Sequence, residues 1–167
     1  ASDSTRIEAH LPTLKQLREA GARVALLSHL GRPKGDKDLK YSLKPVGEEL
    51  ARLTGWEVRF VPDCIGQPVD EAVDGWTEQL LMLENVRFHA EEEKNDAAFA
   101  EAMAKNFDAF VMDAFSASHR AHASTRALAE ILPSYAGPLI VRETEMLGAV
   151  RDNPRKPFVL ILGGAKV

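Results

Sequence analysis

The chain is expected to fold as an α/β protein, a Rossmann-like three-layer αβα sandwich around a mainly parallel sheet. Three observations predict it. Strand-like and helix-like stretches alternate almost throughout, the pattern of βαβ units. The strand-like stretches are nearly continuous apolar runs, which suits strands covered on both faces. Three of them end abruptly in a guanidinium, at Arg32, Arg87 and Arg120. The carboxyl ends of its strands are where an open α/β sheet builds its ligand site.

Taken in order, Leu11, Leu14 and Leu17 predict a helix over 11–20, with Pro12 in its first turn and Gly21 stopping it. Residues 23–30 read as a strand buried on both faces, followed by a polar Gly/Pro/Lys/Asp loop over 31–40. Pro45 opens a helix that runs through Leu53 and is closed by Gly55. Residues 57–61 form a short strand, 68–73 a short helix, and 79–86 the next strand. Asn95 or Asp96 caps a helix through Phe99, Ala100 and Met103. A strand over 109–115 precedes a helix over 125–132 capped by Ser124. Residues 139–141 read as a weak strand and 143–150 as a helix. A last strand over 158–162 runs into Gly163-Gly164-Ala165-Lys166.

A chain of 167 residues with 45% hydrophobic content fills about one domain. Its formal charge of −4, with both signs mixed along the length, argues against a nucleic-acid or anionic-membrane surface. One cysteine, Cys64, excludes an internal disulfide and a multi-cysteine metal site, so a cytoplasmic location is expected. No apolar run approaches the roughly 20 residues of a membrane-spanning helix.

The strand ends carry the chemistry. In His29-Leu30-Gly31-Arg32-Pro33, Gly31 lets backbone approach a ligand and Pro33 stiffens the exit. Arg32 can grip a phosphate or carboxylate with two parallel bonds, although a surface arginine in a solvated turn fits the same string. Arg87 in Glu84-Asn85-Val86-Arg87-Phe88 is either a second anion ligand or half of a structural Glu–Arg pair. Glu91-Glu92-Glu93 reads as a solvated run, because three consecutive carboxylates cannot converge on one point. His119 and His122 flank Arg120 at a spacing zinc can use, but no Cys, Glu or third His stands at ligand spacing around them. No metal site is therefore expected, both histidines are assigned structural hydrogen bonds, and Arg120 is the functional candidate. The glycines before Lys166 can cradle a phosphate. They match neither GxxxxGK[ST] nor GxGxxG, which speaks against a P-loop and an NAD-type domain. Arg6, in Thr5-Arg6-Ile7, could equally pair with Glu8 or Glu19.

Joined over nearly the whole chain, these strings resemble the phosphoglycerate kinases, glycolytic enzymes that move a phosphoryl group between 1,3-bisphosphoglycerate and ADP. One string departs: Ser116-Ala117-Ser118 stands where the family usually carries Gly-Thr-Ala. The resemblance implies that His29, Leu30, Gly31, Arg32, Arg87 and Arg120 hold 3-phosphoglycerate. It also implies catalytic roles for Arg6, on the transferring phosphoryl group, and for Lys166, which with Gly164 and Ala165 faces the nucleotide. Their number fits the job. 3-Phosphoglycerate carries roughly three negative charges near neutral pH. One charge-assisted bond contributes about 1.5–3 kcal/mol, against at least ~4 kcal/mol lost on association.

By the same resemblance, residues 1–152 form a phosphoglycerate-binding N-terminal domain, and 153–167 the last strand and the start of a junction. An Asp-x-Asn strand is expected before Thr5, and a nucleotide domain holding Mg2+ with ADP or ATP beyond Val167. Without them the piece is expected to be inactive, its sheet short of a central strand, and its parent enzyme monomeric. The alternative is a non-catalytic anion-binding or scaffold domain that keeps the fold.

Overall fold

The computed structural model describes residues 4–159, 161 and 163. The first helix, α1 (Thr5–Glu19), is followed by β1 (Val24–Leu26), α2 (Lys44–Thr54), β2 (Val58–Val61), α3 (Gln67–Asp74) and β3 (Leu80–Leu83). After β3 come α4 (Ala97–Ala104), β4 (Phe110–Met112), a four-residue α5 (Phe115–Ser118), a π-helical turn (Ala123–Ala127), α6 (Leu128–Ile131), β5 (Ser134–Ala136) and α7 (Pro138–Asp152). Every strand pairing is parallel, as the alternation predicts. The sheet, however, comes in two pieces: β1-β3-β2 and β4-β5.

β3 is the axis. All four of its residues are buried, and they alternate between two cores. Leu80 faces Leu14 of α1 and Leu50 of α2 on one side. Leu81 and Leu83 face Val69 and Ala72 of α3, Phe99, Ala100 and Met103 of α4, and Leu128 of α6 on the other. Two-sided burial of a leucine contributes about 1.5–3 kcal/mol, so this strand anchors the three layers. Helix ends follow ordinary rules. Gly55 closes α2 in a left-handed conformation (φ 69°), and the Asp96 carboxylate caps α4 by accepting from the Phe99 N–H at 2.8 Å.

Several local expectations are corrected. Pro12 lies in the interior of α1, because the helix starts at Thr5, and it leaves the Glu8 carbonyl without its helical donor. Only Val24–Leu26 of the run 23–30 forms ladder bonds, and these residues are half-buried because, among the described residues, β1 has β3 alone beside it. The strand over 109–115 shortens to Phe110–Met112, with Phe115 already opening α5. Residues 139–141 are helical: Pro138 opens α7 and the strand lies earlier, at Ser134–Ala136. His122, not Ser124, stands before the helical turn, and its N–H donates to Thr125 Oγ1 at 3.1 Å. In the run 158–162, Phe158, Val159 and Ile161 are exposed and in no strand. Residues 160 and 162 lie outside the described residues.

Beside the packing of Phe110 on the core that contains Leu81 and Leu83, a carboxylate ties the β4 side of the fold to α1. Asp113, just past β4, accepts from Thr13 Oγ1 at 2.7 Å and lies 3.2 Å from His10 Nδ1, both on α1. Its other oxygen accepts the Leu139 N–H at 2.8 Å, and so caps α7 from a distance. Gly137 makes this possible, since a Cβ there would sit 2.2 Å from Asp113 Oδ1. Asp113→Ala should lower unfolding free energy by about 2–4 kcal/mol, as three polar groups lose a charged partner. Urea denaturation against the parent chain measures it.

Candidate anion-binding site

The site begins with the residues that follow β3. Glu84 and Asn85 are buried, at 4% and 0% exposure, and every polar atom of their side chains is used. Glu84 accepts from the Leu43 and Asn85 N–H groups at 2.8 Å and from Ser42 Oγ at 2.7 Å. Asn85 Nδ2 donates to the carbonyls of Leu30 (2.8 Å) and Tyr41 (2.9 Å), while its Oδ1 accepts the Arg87 N–H at 3.1 Å. These bonds fasten the long 28–43 loop to the end of the central strand. A structural Glu84–Arg87 pair is not formed, because Glu84 is fully engaged by the loop.

Arg87 is thereby placed almost wholly inside the protein, 4% exposed. Its Nη1 donates to the Gly31 carbonyl at 2.8 Å, and Glu93 lies 3.4 Å from its Nε. Nε and Nη2 are buried without a hydrogen-bond partner. Burial pushes the guanidinium below its ordinary value, Glu93 opposes this, and Arg120 and Arg32 lower it further. It stays charged. Gly31 has a positive φ of 64°, and a Cβ there would meet the Tyr41 ring at 2.3 Å. Its smallness therefore lets the backbone come between Tyr41 and Arg87.

Segments that follow β1, β3 and β4 bring His29, Arg32, Arg87 and Arg120 within electrostatic reach of Arg87 or His29. His29 is held down to about 4, first by desolvation and then by the charges of Arg87, Arg120 and His122. Arg32 is exposed and Arg120 half-buried, and among the described residues neither guanidinium has an ion-pair partner. Among the described residues, the carboxylate paired directly with these arginines is that of the exposed Glu93. Arg6 is brought to no member of it by a described contact. It stands exposed in the first turn of α1, one turn before His10. Gly164, Ala165 and Lys166 lie outside the described residues. A wide concavity of about 580 Å³ between β4, β5 and the 118–126 segment shares only Arg120 with the cluster.

Glu92 corrects the expectation of a solvated acidic run. It is 2% exposed and accepts from Ser124 N–H at 2.9 Å and Ser124 Oγ at 2.6 Å, with His122 Nδ1 at 3.5 Å. This carboxylate anchors the segment bearing Arg120. The signal in sequence is slight: a turn before Asn95 (φ 55°) rotates the middle glutamate inward. His119, by contrast, is exposed and no described bond engages its ring.

The carboxyl ends of parallel strands, where these cations gather, are where an open α/β sheet builds its ligand site. The comparisons specify it further. The phosphoglycerate kinase family model matches residues 1–167, and the chain belongs to that family. Phosphoglycerate kinases of Borrelia garinii subsp. bavariensis and Coprothermobacter proteolyticus are each 53% identical to it, over 99% of this chain and 42% of those proteins. The solved phosphoglycerate kinase of Pyrococcus horikoshii superposes with TM-score 0.86 at 32% identity, over 98% of this chain and 42% of that one. That of Coxiella burnetii gives 0.79 at 38%, over 93% and 39%. The chain thus spans about two fifths of its relatives' length.

Two outcomes follow. Arg87→Met should raise the unfolding free energy by about 1 kcal/mol, since an apolar side chain of similar reach removes two buried unpaired donors. Chemical denaturation reads it. His29 contributes a pH dependence of fixed sign. Folded, it stays neutral down to about 4, whereas an unfolded histidine takes a proton near 6.5. Stability is therefore full above about pH 6.5 and declines towards pH 4. His29→Gln should flatten that part of the denaturation profile.

Proposed function

We propose that this chain supplies the phosphoglycerate-holding part of a phosphoglycerate kinase, which interconverts 1,3-bisphosphoglycerate and ADP with 3-phosphoglycerate and ATP. The observation that carries the reading is the buried guanidinium of Arg87, with two nitrogens unpaired beside Arg32 and Arg120. Burying donors without hydrogen-bond acceptors is costly, even with the Glu93 charge 3.4 Å from Nε. An incoming phosphate or carboxylate removes the cost by accepting from those nitrogens.

In this reading Arg32, Arg87 and Arg120, with His29 and the Leu30–Gly31 backbone, hold the substrate's carboxylate and phosphate. They fix its position for in-line transfer and replace water around its charges. His29, neutral when the site is free, gains a proton as the anion arrives, because the phosphate offsets the surrounding arginines. Arg6 would stabilise charge on the transferring phosphoryl oxygens, and Lys166, with Gly164 and Ala165, would approach from the nucleotide side.

Guanidinium and imidazole do not suit magnesium, which takes carboxylate, phosphate and water oxygens. Mg2+ would enter with ADP or ATP on a part of the parent enzyme outside this chain. We place the N-terminal domain at 1–152, where α7 ends, and the start of a junction at 153–167. The parent enzyme would be cytoplasmic and monomeric, and the present chain alone inactive.

Calorimetric titration with 3-phosphoglycerate, with ATP as control, tests the reading. Saturable binding that weakens with salt should fall at least about tenfold in Arg32→Ala or Arg120→Ala, the loss of one charge-assisted contact. A folded chain with no binding would instead support a non-catalytic scaffold.

A further inference from the structure

Away from the arginine cluster, three side chains of different chemistry meet where β2 and the turn after β3 lie side by side. Asp63 and Cys64 belong to the turn that leaves β2, and His89 closes the short helical turn (Val86–Phe88) that carries Arg87. A carboxylate oxygen, a thiol sulfur and an imidazole nitrogen all lie within 4.8 Å of one another.

The Asp63–His89 pair is a direct contact, with Oδ1 and Nε2 2.8 Å apart, and the thiol is part of the apolar core with Val61 and Val69. Cys64 is 1% exposed, and no described hydrogen bond engages its sulfur. Phe99 packs against the His89 ring at 4.9 Å and fixes its plane. Beside Asp63 and His89 is a cavity of about 70 Å³, lined also by Lys37 and Glu84 but not by Cys64. A water occupies about 30 Å³. Glu84 is committed to Ser42, Leu43 and Asn85, so it leaves the cavity open without joining the set.

The geometry points to a binding site for a thiophilic divalent cation of the zinc class, held by Asp63, Cys64 and His89 with water from the cavity as fourth ligand. Tetrahedral zinc binds sulfur at about 2.3 Å and nitrogen or oxygen at about 2.0–2.2 Å, placing donors roughly 3.4–3.7 Å apart. Reaching that arrangement requires side-chain shifts of about 1 Å, with Asp63 and His89 separating slightly. Sulfur and imidazole favour zinc or cobalt over magnesium or calcium. Binding forms the metal–sulfur bond and releases the thiol proton to solvent. The occupied site would tie the end of β2 to the turn bearing Arg87.

Cobalt titration of the tag-free chain tests this. One Co2+ per chain should give the near-ultraviolet charge-transfer band of a cobalt thiolate and strong visible bands of four-coordinate cobalt. Cys64→Ala should abolish the charge-transfer band, and His89→Gln should weaken binding at least about tenfold. Zn2+ should displace Co2+, raise the melting temperature of the parent chain and leave that of Cys64→Ala unchanged, while Mg2+ does neither. Absence of the thiolate band in the parent chain overturns the proposal whether or not the variants fold. Equal cobalt binding by Cys64→Ala overturns it as well.

Discussion

Everything at the carboxyl end of this sheet depends on the buried Glu84–Asn85 pair. Two short polar side chains satisfy six hydrogen-bonding groups from three segments that would otherwise be separate. The pair works because β3 is buried on both faces and cannot shift. A polar group placed at its end finds no water and must be met by protein. The 28–43 loop, which has little regular structure, is ordered from this one point. Gly31 thus reaches Arg87, and the arginine sits beside its neighbours before any ligand is present.

The opposite wall has its own buried acid. Glu92 orders the segment around Ser124, as Glu84 orders the loop around Leu43, and each leaves an arginine in the space between. Two carboxylates spent on backbone and hydroxyl donors cannot neutralise the guanidiniums near them. That division of labour keeps the cluster cationic in a protein whose overall charge is negative. Family membership and this electrostatic arrangement support the same reading from independent directions.

Much of the architecture was legible in the sequence because it rests on period and punctuation. Apolar runs marked β1, β2, β3 and β4, and Gly55 and Asp96 marked helix ends. Strand ends suggested Arg32, Arg87 and Arg120 as anion ligands, and the family resemblance was needed to prefer that over structural roles. What escaped depends on distant contacts. Ile140 and Val141 have strand-like chemistry, yet they are helical because Asp113, far back in the chain, caps α7 where Gly137 has no side chain to do so. Glu92 looked like its exposed neighbours, and only the turn before Asn95 separates it from them. The run at 23–30 read as doubly covered, whereas coverage is a property of the neighbouring strands and not of the run itself.

The unpaired nitrogens of Arg87 also bear on how such a sequence drifts. A buried guanidinium with two idle donors is a burden on the folded state at every moment when no anion is bound. Random substitution would relieve it readily, since many apolar side chains fit the space better. The residue is therefore a running record of use: it endures in a lineage only while the benefit of catching an anion exceeds its standing cost. Among descendants released from that duty, this interior position would be among the first to change, well before the exposed Arg32, whose loss relieves nothing.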